Sequence, residues 1–377
     1  MAADPIDPAA ARRLRAPILG WYKRAKRDLP WRRTTDPYAI WVSEVMLQQT
    51  TVAAVIPYWE RFLDRFPDTA SLAEGSEEDV LALWSGLGYY RRARALREGA
   101  MAVMERHGGR VPDQTETLIG LPGIGRYTAG AIASLAYGRE APVVDGNVKR
   151  VFSRLFALRG AEAKLEKTYW SIAQSLVAGR SPGDWNQALM ELGATICTPR
   201  SPRCGSCPVE KLCRARAAGK QEEFPARTRR KAARVVNVAI GWIEQRGRVL
   251  LVRQSPDGPL RGAWDLPAVP VRGGEPASRA IAREFGTRHG LRLRAGRVVF
   301  KLKHSILDTR LAIEVVEAIP RAPIARRAAF RWIALDDIGT IPISGATAKI
   351  ARAVRAQKAS HDLAASASSG SRGRLKA

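Results

Sequence analysis

Along residues 9–196 apolar side chains recur at the three- and four-residue spacing of helices, with Pro, Gly and Asp breaks between runs and little two-residue alternation. Asp36-Pro37 reads as a helix start: the carboxylate can accept from the free first-turn amides, and proline needs no donor at the first helical position. Asp113 to Glu116 and Ser76 to Asp79 have the spacing of capping boxes, the second with Asp in place of Glu. From 214 to 234 the chain turns polar and basic with no apolar face, which predicts a linker over 217–234 or an arm lying on an anion. Beyond it the period changes to two. Strands are predicted over 235–244, 248–254 and 310–319, with one helix over 278–290 between them. Residues from 358 onward are Ala, Ser, Gly and Arg without periodicity, which predicts disorder over 358–377. The fold class is therefore multidomain, an all-α domain over 9–216 followed by a small α+β domain over 235–357.

Length and charge narrow the function. The 377-residue chain carries 62 Lys and Arg against 36 Asp and Glu, a net charge of +26, which suits a polyanionic partner such as nucleic acid. An arginine- and alanine-rich composition raises the charge without any function, so charge alone decides nothing. No run approaches the roughly 20 apolar residues of a membrane helix, and a soluble, cytoplasmic, monomeric protein is expected, nucleoid-associated if bacterial.

Three constellations carry chemistry. In LPGIGRYTAG, 121–130, Gly123 and Gly125 bracket an apolar residue just before a helical pattern, a turn that can aim backbone N–H groups at a phosphate or simply join two helices. In VVDGNVKR, 143–150, Asp145 and Asn147 precede another helix; Asp145 alone is most simply an N-cap. All four cysteines, Cys197, Cys204, Cys207 and Cys213, fall in one C-x6-C-x2-C-x5-C run. That is poor spacing for stapling a long chain and good spacing for one metal centre, zinc or iron–sulfur.

These elements, with LPWR at 29–32, SEVMLQQT at 43–50, GLGYYRRAR at 86–94 and NQALMELGATIC at 186–197, occur in an order that resembles the helix-hairpin-helix DNA glycosylases, and within them the MutY-type adenine glycosylases, over residues 14–216. The resemblance implies a [4Fe-4S] cluster on the four cysteines. It implies that Glu44 protonates adenine at N7 and that Asp145 stabilises the sugar cation. This fits the chemistry, because a poor leaving base needs an acid and an oxocarbenium-like sugar needs an anion. A general acid at neutral pH needs an apolar pocket, and Val45, Met46 and Leu47 flank Glu44. Bifunctional relatives carry lysine where this chain has Tyr127, and a phenol forms no Schiff base, so a monofunctional enzyme is implied. By the same resemblance Trp31, Arg32, Leu47 and Gln187 line the adenine pocket, while Gln48, Gln49 and Tyr89 fill the gap left by a flipped base. Gly123, Gly125, Asn147 and Lys149 fall at DNA-contacting positions, and Arg91, Arg92 and Arg94 are read as phosphate contacts or a solvated face. The partner implied is duplex DNA holding adenine opposite 8-oxoguanine or guanine. The competing readings are a thymine- or uracil-mismatch glycosylase, a non-catalytic iron–sulfur DNA-binding protein, and a pyrophosphatase fused to a DNA-binding half.

The C-terminal part resembles, more weakly, a Nudix domain. Glu275, Arg283, Glu284, Phe285, Gly290 and Leu291 keep the spacing of the Nudix box, but Thr287 and Arg288 stand where two metal-binding glutamates belong, which implies recognition without hydrolysis. The resemblance places reading of the opposite base at His304 and Ser305, in a loop over 304–308 whose sequence departs from the family pattern.

Overall fold

The structure, a computed structural model, describes residues 8–226, 234–255, 258, 261–306, 308–325 and 327–370. Its helices are α1 (Pro8–Ala25), α2 (Pro37–Leu47), α3 (Val52–Arg65), α4 (Thr69–Glu74), α5 (Glu77–Leu83), α6 (Arg91–His107), α7 (Thr115–Ile119), α8 (Arg126–Tyr137), α9 (Gly146–Leu155), α10 (Glu162–Val177), α11 (Pro182–Thr195) and α12 (Arg214–Ala217). Two more, α13 (Ala277–His289) and α14 (Gly345–Gly370), accompany strands β1 (Arg234–Trp242), β2 (Glu244–Gln245), β3 (Arg248–Arg253), β4 (Trp264–Asp265), β5 (Ala268–Pro270), β6 (Leu293–Ile306), β7 (Thr309–Pro320) and β8 (Phe330–Ala334). The described residues divide into two compact units, 8–75 with 92–226, and 76–91 with 234–370. Segment 76–91, which the sequence pattern assigns to the helical domain, belongs with the β-containing unit.

The first unit is helix on helix. Asp36 caps α2 by accepting from the amides of Tyr38 and Ala39, with Pro37 at the first position, as the sequence predicts. Asp113 makes no capping box: α7 starts at Thr115 without a side-chain cap, and Asp113 pairs instead with Arg139. The 217–234 linker also needs correction. Ala215 and Phe224 are buried, and the Phe224 carbonyl accepts from Arg154, so 214–226 packs on the helical unit; 227–233 lies outside the described residues.

In the second unit, Ser76 caps α5 by accepting from the Asp79 amide. A mixed sheet runs β5-β1-β7-β6, with β1 and β7 parallel, and a second runs β2-β3-β4 with β8 on β3. One core joins Ile240, Ile313 and Val315 to Val249, Leu251 and Ile350. The alternate positions Ala239, Val316 and Ala318 pack under Ile281 and Phe285 of α13, as the pleat requires. The expected disorder from 358 is replaced by the continuation of α14 to Gly370, and 371–377 lie outside the described residues.

Candidate active site and iron–sulfur loop

Helix α2 is apolar on nearly every face, so it is buried almost whole, and Glu44 is buried with it, only 6% exposed. Burial pushes its carboxyl up to about 7, and the neighbouring charge of Asp145 adds to this; a hydrogen bond from Tyr127 and the charge of Arg32 act against it. The Tyr127 hydroxyl, on the first turn of α8, donates to Glu44 Oε2 at 2.8 Å. Burial and the two carboxylates raise Tyr127 well above the ordinary phenol value, which keeps it a donor.

Asp145 is the N-cap of α9. Its Oδ1 accepts from the Val148 amide at 2.7 Å and its Oδ2 from the Asn147 side chain at 2.8 Å. The cap reading and the functional reading therefore coexist: the bonds that start the helix also fix the carboxylate beside Glu44. Both acids line one cavity of about 630 Å³. Trp31, Arg32, Leu47, Gln48, Gln49, Asn147 and Gln187 line the same cavity. Gln187 accepts from Tyr22 at 3.1 Å, and Gln48 donates to Thr128 at 3.4 Å.

Other assigned residues lie apart from this cluster. Gly123 has φ +75° in the α7–α8 turn, and a Cβ there would meet that of Ala95 at 2.7 Å, so the turn requires glycine. Gly125 is the N-cap of α8 without a side-chain cap, which leaves first-turn amides open. Lys149 turns to α10, pairing with Glu166 at 2.7 Å and Glu162 at 3.3 Å. Arg92 spends its guanidinium on the carbonyls of Val45, Met46 and Gln48 at the end of α2, and Arg94 is buried, so neither stands as a solvated face. Tyr89, in the second unit, is 41% exposed. His304 and Ser305 are strand residues of β6, paired with Leu311 and Arg310, where the sequence suggested a loop; Leu307 lies outside the described residues. Ser305 is exposed. His304 is half-buried against Gly345, and burial and Lys349 hold its imidazole below the ordinary value.

Sequence reading missed Glu191 and Arg27. Glu191 on α11 has a fully buried side chain, held by Arg27 at 2.7 Å and Arg32 at 2.7 Å. Burial would raise it, but the hydrogen bonds from the two arginines outweigh burial and hold it below the ordinary glutamate value. Its acceptor positions are taken, so it anchors the two guanidiniums at the cavity wall. The cavity thus holds one glutamate raised to about 7 and one held below the ordinary glutamate value. Glu191 lies inside the motif at 186–197, but its pairing with arginines far off in sequence leaves no local signal to read.

The four cysteines and Arg154 line a second small cavity. Burial pushes Cys207 up to about 11 and also raises Cys204 and Cys213. A set of thiols gathered around one cavity fits an iron–sulfur centre, whose iron would take them as thiolates. Arg154 donates to Cys197 Sγ at 3.3 Å and to the Thr198 carbonyl at 2.7 Å. One turn earlier, Arg150 donates to the Cys197 carbonyl at 2.7 Å and to Asn147 Oδ1 at 2.8 Å, and Asn147 in turn donates to Asp145. The cysteine loop and the Asp145 carboxylate therefore share one hydrogen-bonded chain along α9.

In the second unit Arg283 bonds both Glu275, at 3.0 Å, and Glu284, at 3.3 Å, and Arg288 stands 3.9 Å from Glu284. The two remaining acids of the Nudix pattern are thus paired with arginine.

A turn-flanked helix pair, a cysteine loop and two carboxylates in one cavity define a helix-hairpin-helix DNA glycosylase with an iron–sulfur loop. The comparisons agree. The HhH-GPD superfamily base excision DNA repair protein model matches residues 42–175, the iron–sulfur binding domain of endonuclease III matches 197–213, and the NUDIX domain matches 238–353. A solved thermostable thymine-DNA glycosylase matches with TM-score 0.52 and 33% identity, over 55% of this chain and 97% of that one. The adenine DNA glycosylase of Homo sapiens is 38% identical over 93% of this chain and 76% of its own length. That of Mycolicibacterium smegmatis is 43% identical over 65% of this chain and 82% of its own. The chain belongs to the adenine DNA glycosylase family, enzymes of base excision repair.

Proposed function

We propose that this enzyme hydrolyses the N-glycosidic bond of adenine mispaired with 8-oxoguanine or guanine in duplex DNA, as a monomer, and leaves the strand uncut. The observation that carries the reading is a neutral-range carboxyl, Glu44, and a capped carboxylate, Asp145, on the walls of one cavity. Glu44 donates its proton to adenine N7. The C1′–N9 electron pair then leaves with the base, and Asp145, held by Asn147 and the Val148 amide, faces the sugar cation until water adds at C1′ and gives its proton to the Glu44 carboxylate, which restores the acid. Tyr127 stands where a Schiff-base lysine would be, and Lys149 is no substitute. Burial lowers its pKa, but the bonds to Glu166 and Glu162 outweigh burial and hold the amine protonated.

Cys197, Cys204, Cys207 and Cys213 would hold a [4Fe-4S] cluster, which supplies a cross-link for residues 197–213. Gln48, Gln49 and Tyr89 fill the vacated stack, open amides at the start of α8 take a phosphate, and exposed Ser305 reads the opposite base. Likeness to a thymine-DNA glycosylase supports a second reading, on thymine mismatches. Single-turnover base release from duplexes with adenine opposite 8-oxoguanine, guanine or thymine, and thymine opposite guanine, separates the two. The first reading expects release of adenine opposite 8-oxoguanine and guanine, strand breaks only after alkali, and a silent Glu44→Gln variant. Release of thymine alone would overturn it.

A further inference from the structure

Tyr89 sits in the SGLGYY turn with φ +52°, next to Gly88 at φ +74° and three residues after Gly86 at φ +99°. The left-handed region is costly for a bulky aromatic residue, and such a geometry persists only where surrounding contacts impose it. Two contacts do so here. Trp84 Nε1 donates to the Gly88 carbonyl at 3.2 Å, immediately before Tyr89. Immediately after it, the buried Tyr90 hydroxyl donates to the Ile343 carbonyl and accepts from the Ile343 amide at 3.1 Å, with Ser85 Oγ a further acceptor of that amide at 3.4 Å. The phenol thus satisfies both backbone groups of one residue, as a paired strand would.

Ile343 is itself held. It bridges Trp264 of β4, whose amide donates to the Pro342 carbonyl at 2.8 Å. The next residue, Ser344, donates to the buried Asp265 carboxylate at 2.7 Å, and Thr347 of α14 donates to the same oxygen. The anchor is therefore the capped start of α14 in the Nudix-like domain.

We propose that Tyr90, pinned on Ile343, is a positioning residue that sets the strained backbone of Tyr89 before DNA arrives, so that the Nudix-like domain contributes to placing the residue that fills the stack. The proposal rests on the reading of Tyr89 given above. A mispositioned wedge slows base release without altering the acid that performs it.

The test is a double-mutant cycle on the cluster-loaded full chain, read as single-turnover release of adenine opposite 8-oxoguanine at saturating enzyme. Tyr89→Ala and Tyr90→Phe are each expected to slow release by about tenfold or more. The double variant should be no slower than Tyr89→Ala, and the pH midpoint of release should stay at the wild-type value in all three. Losses that multiply in the double variant, or a Tyr90→Phe enzyme as fast as wild type beside a slow Tyr89→Ala, overturn the proposal alone. A Tyr89→Ala enzyme at the wild-type rate overturns the wedge reading and the proposal with it. Should Tyr90→Phe not fold, Ser85→Ala carries the same cycle. A loss that disappears in the Tyr89→Ala background supports the pin, and an unchanged rate overturns it.

Discussion

At the scale of single residues the proposed chemistry turns on Glu44. Its folded value near 7, against an ordinary 4.5, means that the native state holds the proton more tightly than the unfolded chain. That contribution is full below pH 4.5 and is lost as pH rises through about 7. Two outcomes follow from this tighter hold. Single-turnover release should be level on the acid side of the midpoint and fall about tenfold per pH unit above it, because only the neutral carboxyl donates. Glu44→Gln, expected to be silent in release, should be more stable than wild type at pH 8 by about 3 kcal/mol, since each tenfold tightening of proton affinity corresponds to about 1.4 kcal/mol. The two proteins should converge near pH 5. Denaturant melts at the two pH values check the second outcome, and a Glu44→Gln protein no more stable at pH 8 would show that Glu44 is solvated. Glu191 illustrates the opposite case. The same helical burial acts on it, yet two guanidiniums within 2.7 Å reverse the sign. What a buried carboxyl does is decided by its neighbours rather than by its depth.

At the scale of elements, α11 must approach the start of α9 closely enough for Arg150 to span Gly193, Cys197 and Asn147. Gly193 makes this possible: a Cβ there would lie 2.5 Å from the Asn147 Cβ and 3.0 Å from its Cα. Alanine is the better helix former by roughly 1 kcal/mol, but the clash is with backbone and cannot be relieved by a rotamer. Gly193→Ala is therefore expected to cost about 1–3 kcal/mol net and to slow release about 10- to 100-fold by displacing Asn147 from Asp145. Melts and single-turnover rates on the iron-loaded protein check this, and a wild-type rate would show that Asn147 does not position the carboxylate. The same elements show what the sequence discloses. Local signals were readable, such as Asp36-Pro37 starting α2, Asp145 starting α9, and the short Val- and Ile-rich apolar runs of β1, β3 and β7. Strand β6 was not, because register shifts between Ala295, Val298 and Phe300 break its period. Helix α14 hid because its core stripe includes small residues, Ala346 and Ala351 beside Ile350 and Val354. In the candidate site, Glu44, Tyr127 and Asp145 were legible through motifs, as was Arg32, whereas the pairing of Arg27 and Arg32 with Glu191 joins positions more than 150 apart and is disclosed by neither segment.

At the scale of the whole molecule the net charge of +26 and the buried Glu44 answer to different experiments. A basic surface binds a duplex largely by displacing condensed counterions, so log affinity should fall linearly with log salt at about −0.9 per neutralised phosphate. Contacts to about six to ten phosphates would give a slope near −5 to −9, and a loss of about 10³ to 10⁵ in affinity between 50 and 200 mM salt. Chemistry at Glu44 should not follow that slope. The acid is only 6% exposed, Tyr127 is bonded to it and Asp145 lines the same cavity, where mobile ions screen little. Equilibrium binding to an uncleaved duplex and single-turnover release at saturating enzyme, both taken across a salt series, should therefore diverge: affinity falls steeply while the rate stays within about twofold. A binding slope shallower than about −2 would mean that few phosphates are met and that the arginine excess is compositional. A rate that fell in step with affinity at saturation would place Glu44 in contact with bulk solvent, against the burial that sets its value near 7.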